Sequence, residues 1–369
     1  MSGEVSEAIP QMCHSEKPYC RETEPHERGE WFGWPHGPQI SGGLIFQRLH
    51  LLKILVVFLC YSVAVGGLAG RCFAQFIEKA EGRGPQLGET HVQRWVAGVI
   101  VRAAGGACTG IKAYIPIPTD WPEQEVTTLE EDFSPGVRVS YRTVEGTVRQ
   151  MVVEIPFLAP GEEAKALITT ETRRRVILPP PDPSIFVLPD RRKLPRDVLP
   201  YLAVSPGIEA TNSKIQTLAK QLLASEGTAW QKVERIYDWV RENVKYQEGP
   251  FKGALAALTD GVGDCEEMTA LFIALCRAGG IPARTVWIPG HAYAEFYLAD
   301  PEGKGYWFPC QLAGTRAFGE MNEARPILQK GDNFRSSLNP RDRKRYLAEE
   351  LIGTGGRPQV EFVRRLLAR

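Results

Sequence analysis

An excess of either charge is missing from this 369-residue chain: 44 Lys and Arg face 44 Asp and Glu. No overall field recruits nucleic acid or an anionic membrane, so neither is expected as a partner. Internal repeats are absent, and low complexity is confined to proline-rich stretches. No Asp/Glu loop has the ligand spacing of an EF-hand, so neither calcium nor any other metal or cofactor is called for. Cysteine is scarce beyond the N-terminal region. Only Cys108, Cys265, Cys276 and Cys310 follow residue 74, too few for a disulfide scaffold to replace a core. Histidine is scarcer still, because His291 alone follows His91.

The N-terminal region reads as a leader. Residues 1–43 are polar and rich in Gly and Pro, with no evident fold. Cys13, His14, Cys20 and His26 do not repeat a zinc-ligand pattern and have no apolar positions around them. The uncharged run Ile54 to Gly70 follows Arg48, His50 and Lys53 and precedes small residues at Cys72 and Ala74. Residues 44–74 are therefore expected to be a signal peptide cut after Ala74, or a retained membrane anchor. Either outcome makes the protein exported: periplasmic, extracellular or membrane-anchored. A translation start near Leu44 is the simplest account of the polar stretch before it, and N-terminal sequencing tests it.

Residues 75–205 are expected to hold an all-β domain and a connector. Val137, Val139, Tyr141 and Thr143 alternate with polar residues, and Met151, Val153 and Ile155 do likewise. Alternation of this kind marks half-buried strands of an antiparallel sandwich. Leu178-Pro179-Pro180-Pro181 and Leu199-Pro200 then exclude helix and suit a link between domains. From 206 to 330 the pattern changes. Ile215, Leu218, Ala219, Leu222 and Leu223 give one amphipathic helix, and Val233, Ile236, Trp239 and Val240 a second. Asp264 with Glu267 resembles a capping box that starts a third helix at Cys265, with Met268, Leu271, Phe272, Leu275 and Cys276 as its apolar stripe. Strands follow at Thr285–Ile288, Ala292–Leu298 and Tyr306–Phe308, so this domain is α+β. Residues 331–369 read as a basic C-terminal tail.

Chemistry concentrates at Cys265 and His291. A thiol in the first turn of a helix meets unpaired backbone N–H groups and the positive end of the dipole, both of which favour thiolate. The same N–H groups can hold an oxyanion. Asp264, Glu266 and Glu267 oppose the thiolate, which raises the need for an imidazolium nearby. His291 is the only histidine the C-terminal domain offers. Cys276 lies on the apolar stripe and reads as packing, as does Cys310.

In this order, Lys232-Val233 to Val240, Gly263 to Arg277, Gly280-Ile281-Pro282-Ala283-Arg284 and His291-Ala292-Tyr293-Ala294-Glu295 resemble the transglutaminase-like superfamily, in its exported bacterial type. That resemblance implies a papain-like core of helices and antiparallel sheet with Cys, His and Asp as its catalytic set. The third member departs from the pattern. Aligned on Trp307 and Pro309, Gln311 stands where the family usually has Asp. A neutral amide can still fix the imidazole tautomer, but it supplies no charge. Asp300 is the alternative acceptor, although Asp300-Pro301-Glu302-Gly303 reads as a turn tip. The resemblance implies a cysteine acyl transferase, or an amide or peptide hydrolase, acting through a thioester on protein or peptide substrates. The absent Asp keeps open an inactive domain that serves in binding or assembly.

Overall fold

A computed structural model describes residues 82–367. The expected leader over 1–43 and the signal peptide or anchor over 44–74 lie outside the described residues. Among the described residues no helix is long and apolar enough to cross a membrane.

The first six strands are β1 Gln86–Arg102, β2 Cys108–Ile117, β3 Gln124–Phe133, β4 Arg138–Val144, β5 Val148–Leu158 and β6 Glu163–Leu178. β6 shows why they form a sandwich. Ala164, Ala166, Ile168, Thr170, Thr172 and Arg174 are buried at every second position, which turns one face inward. β6 pairs antiparallel with β1 and β3, while β5 pairs antiparallel with β2 and β4. The two inner faces meet through aliphatic residues such as Val99, Ile115, Met151, Val153 and Ile168. Short 3₁₀ turns at Pro183–Ile185, Arg191–Lys193 and Leu199–Leu202 carry the proline-rich connector onward.

The next half begins with α1 Ser213–Ala224 and α2 Ala229–Asn243, each started by the side chain before it. The Asn212 side chain accepts the Lys214 N–H, and Thr228 with Gln231 forms a full capping box. Then come β7 Lys245–Tyr246, α3 Ala254–Asp260, β8 Val262–Gly263 and α4 Cys265–Ala278. The sheet strands β9 Ala283–Ile288, β10 His291–Ala299, β11 Gly305–Gln311, β12 Ala317–Phe318 and β13 Gln329–Lys330 follow, in the order β12-β11-β10-β9-β13 and antiparallel throughout.

α4 is buried from Cys265 to Arg277 on every side, not along one stripe. The sheet covers one flank and α1, α2 and α3 cover the others, so Ile273 and Ala274 are as buried as the stripe itself. Aromatic rings from α2 and the sheet fill the rest of this core. Phe296 stacks on Phe318 at 5.0 Å, and Trp230 meets Phe308 edge-on at 5.2 Å.

The other face of the five-stranded sheet rests on the sandwich. Val286, Ile288 and Tyr293 pack with Ile177, Met321 and Ile327, and Arg174 donates to the Tyr293 hydroxyl at 2.8 Å. Charge is buried here as well. Lys330 Nζ lies 2.6 Å from Glu123 and 2.5 Å from Glu295, whose second oxygen takes Arg284 Nε at 2.7 Å. Burial pushes the Glu295 carboxyl up, but Lys330 and Arg284 outweigh it and hold the group well below the usual carboxylate range.

Residues 331–367 are not the tail their basic composition suggests. β14 Phe334–Arg335 and β15 Arg343–Lys344 pair with each other, β16 Glu350–Gly355 adds to β2, and β17 Gln359–Leu367 adds to β1. Each sheet of the sandwich is thus completed from the far end of the chain. Leu351, Val360 and Phe362 pack on the sandwich core. Several cations of this segment are held in ion pairs: Arg364 meets Glu349 at 2.6 Å, Arg343 meets Glu145 at 3.1 Å, and Arg345 pairs with Glu266.

Candidate active site

The start of α4 is built by its own acidic residues. β7 and β8 run parallel, with the Gln247 N–H on the Gly263 carbonyl at 3.0 Å, and deliver the chain to Asp264. An Asp264 carboxylate oxygen accepts the Glu266 N–H at 2.8 Å, and Glu267 reaches back to the Asp264 N–H at 3.1 Å. The other Glu267 oxygen accepts the Lys252 N–H at 3.0 Å and ties the preceding loop to the helix. This reciprocal cap requires a residue without a side chain at 263. A Cβ on Gly263 would stand 2.6 Å from the Cβ of Glu267. Cys265 is the first residue of the helix and is 2% exposed. Two of the three acids expected to oppose its thiolate are therefore spent on capping, and the third, Glu266, is ion-paired with Arg345.

His291 opens β10 after the Pro289-Gly290 turn, where Gly290 has φ +77°. Thr269, one helical turn beyond Cys265, donates its hydroxyl to the carbonyl of Ala292 at 3.4 Å. That bond fastens the head of α4 to the head of β10. His291 Nε2 lies 3.1 Å from Gln311 Oε1. The orientation of this amide follows from its other end, since Gln311 Nε2 donates to the Thr315 carbonyl at 3.3 Å and a carbonyl can only accept. Oε1 is then the atom facing the imidazole, and His291 Nε2 carries the proton. Nδ1 is left as the acceptor nitrogen of the neutral ring.

Gln311 is itself locked by α2. Its carbonyl accepts from the Tyr237 hydroxyl at 2.8 Å and from Arg241 at 3.2 Å, and Arg241 also holds the carbonyls of Leu312 and Gly314 at 2.9 Å each. Burial pushes the Tyr237 phenol up to about 12, so it remains a donor across the working pH range. Neither residue carries a sequence signal beyond helical spacing, because contacts to backbone carbonyls impose no pattern on the partner sequence.

Asp300, the alternative acceptor, sits at the opposite end of β10. It accepts the Lys304 N–H at 2.9 Å and the Tyr306 hydroxyl at 3.3 Å in the turn before β11. A strand the length of β10 puts it on the order of 25 Å from His291. Cys276 and Cys310 are both fully buried in the helical core. Burial pushes both thiols well above the ordinary value, Cys310 further through the neighbouring Cys276. Cys108 packs in the sandwich with its thiol on the Gly356 carbonyl at 2.9 Å.

Residues 216–312 match the family model of the transglutaminase-like superfamily. An uncharacterized protein of Haemophilus influenzae is 28% identical over 135 residues, covering 35% of this chain and 36% of its own length. The chain thus spans about a third of that curated relative. Among solved structures, a candidate cysteine protease from Cytophaga hutchinsonii has a TM-score of 0.48 at 18% identity, over 76% of this chain and 92% of its own. A candidate protease from Parabacteroides distasonis has a TM-score of 0.25 at 16% identity, over 60% and 47%. The chain therefore carries a domain of the transglutaminase-like superfamily, built on residues 216–312.

Proposed function

We propose that this domain is a cysteine acyl transferase or amide hydrolase in which Cys265 attacks a carboxamide or peptide carbonyl. His291 Nδ1 takes the thiol proton and later delivers it to the departing amine, leaving a thioester on Cys265. An amine acceptor then gives an isopeptide bond, and water gives hydrolysis. The backbone N–H groups at the head of α4 hold the oxyanion. Protein or peptide is the substrate class that this chemistry implies.

The observation that carries the reading is the Gln311 amide on His291 Nε2 at 3.1 Å. It fixes the tautomer whose second nitrogen can serve a thiol. Because Gln311 is neutral, stabilisation of the imidazolium falls to the Cys265 thiolate, which the helix terminus supports in turn, instead of to a third carboxylate. The same neutrality favours a second reading, a domain that binds or assembles without turnover. Iodoacetamide labelling separates the two. On the catalytic reading Cys265 alkylates at pH 6 far faster than an ordinary thiol, and His291→Ala removes the excess. Equal reactivity in wild type and His291→Ala would reject it.

Export belongs to the same proposal and rests on the uncharged run Ile54 to Gly70. Fractionation with N-terminal sequencing tests it, and an uncut chain in the cytosol would contradict it.

A further inference from the structure

The head of α4 contains one carboxylate that capping does not use. The Glu266 side chain is 4% exposed, adjoins Cys265 in sequence, and meets the guanidinium of Arg345. Arg345 lies well beyond the 216–312 family match, between β15 and β16. Its guanidinium is 3.9 Å from the centre of the Phe251 ring and 5.4 Å from that of Trp287. Phe251 precedes Lys252, whose N–H caps on Glu267 at 3.0 Å. Trp287 pairs with Ala292, the neighbour of His291. Three separate contacts thus place Arg345 where the head of the Cys265 helix and the head of the His291 strand converge.

We propose that Arg345 is a positioning residue of the active site: its guanidinium offsets the Glu266 charge beside the Cys265 thiol and thereby sets the pH at which the thiolate forms. This rests on the reading that Cys265 is the nucleophile. The charged and titratable groups around the thiol come from several elements. Asp264, Glu266 and Glu267 belong to the head of α4, His291 to β10, Tyr246 to β7 where it pairs with Gly263, and Arg345 to the segment after β15 together with Tyr346, whose ring lies 5.1 Å from that of Trp287. Lys252 contributes its backbone, while its side chain is 62% exposed and its ammonium group meets Asp260 at 3.7 Å. Gln311 is neutral. Capping fixes Asp264 and Glu267 at the helix start, so the Glu266–Arg345 pair is where the balance of charge can be changed without removing the cap. A buried carboxylate stripped of its cation, one residue from a thiol, disfavours the thiolate. A cation stripped of its carboxylate favours it.

The test is the pH profile of Cys265 alkylation by iodoacetamide in the full chain, followed by mass spectrometry. Arg345→Gln is expected to move the acid limb up by about one pH unit, and Glu266→Gln to move it down by a smaller amount. The double variant returns close to wild type. Opposite signs with mutual rescue are not what loss of structure produces, and thermal melting of each variant checks the fold independently. A wild-type limb well below an ordinary thiol that neither variant moves, or that both move the same way, overturns the role of Arg345 and leaves Cys265 as nucleophile. An ordinary thiol in wild type overturns both. Should Arg345→Gln fail to fold, Glu266→Gln decides alone, and a limb that does not move down refutes the proposal.

Discussion

Cys265 and Cys276 lie on one helix, roughly 16 Å apart by the helical rise, and are 2% and 0% exposed. Burial is nearly the same at both, yet their surroundings differ in kind. Cys276 is enclosed by apolar side chains and a second buried thiol, so burial pushes it up and keeps it protonated. Cys265 stands at the helix head, amid capping carboxylates, an Arg345–Glu266 pair and a strand start bearing His291. Depth alone does not make a thiol inert. What matters is whether the buried volume also holds groups that favour charge.

The largest expected effect separates the two ends outright. Cys265→Ala should abolish low-pH alkylation and any amide-cleaving or transfer activity, whereas Cys276→Ala should leave both intact, as read by site-resolved mass spectrometry. Loss of activity in both variants would erase the distinction. Next comes His291→Ala, expected to slow Cys265 alkylation at pH 6 by about 100-fold or more, since a positioned base contributes 10²–10⁴-fold. Alkylation of Cys276 and Cys310 should not respond at all.

Gln311→Ala probes the same head of the helix one step further out. It removes the partner that fixes the imidazole tautomer but no charge, so a loss of about 10-fold in rate is expected, smaller than the Asp-to-Asn penalty of about 10⁴ seen in triads with a charged third member. A loss as large as that of His291→Ala would mean that Gln311 does more than orient. The smallest effect lies at the apolar end. Cys276→Ala should lower stability by about 1 kcal/mol through the cavity it leaves, measured by urea denaturation.

Much of this contrast can be read in the sequence, because it rests on local signals. Asp264 and Glu267 flank the helix start at capping-box spacing, His291 is the lone histidine of its half, and Gln311 falls on the register that Trp307 and Pro309 set. The turn-forming run from Asp300 to Gly303 points away from Asp300 as the acceptor, and the fold places Asp300 in the turn beyond β10, on the Lys304 N–H. Other features leave no local trace. Tyr237 and Arg241 act on backbone carbonyls some 70 residues away, which constrains neither periodicity nor spacing. Arg345 is one more cation in a basic stretch until the fold sets it on Glu266. The same stretch hid β16 and β17. β16 is broken by Gly353 and Gly355, and in β17 the alternation of Val360 and Phe362 runs straight into Val363, Arg364 and Arg365, so neither strand has a clean period of two.

On the proposed reading, Cys265 ionises as a thiolate supported by His291. A pH titration of thiolate ultraviolet absorbance, taken as wild type minus Cys265→Ser, measures this directly. The expected result is a Cys265 thiolate that persists below pH 6 and shifts toward the ordinary value of about 8.5 in His291→Ala. A Cys265 that titrates near that ordinary value in wild type, with no response to His291→Ala, would contradict it.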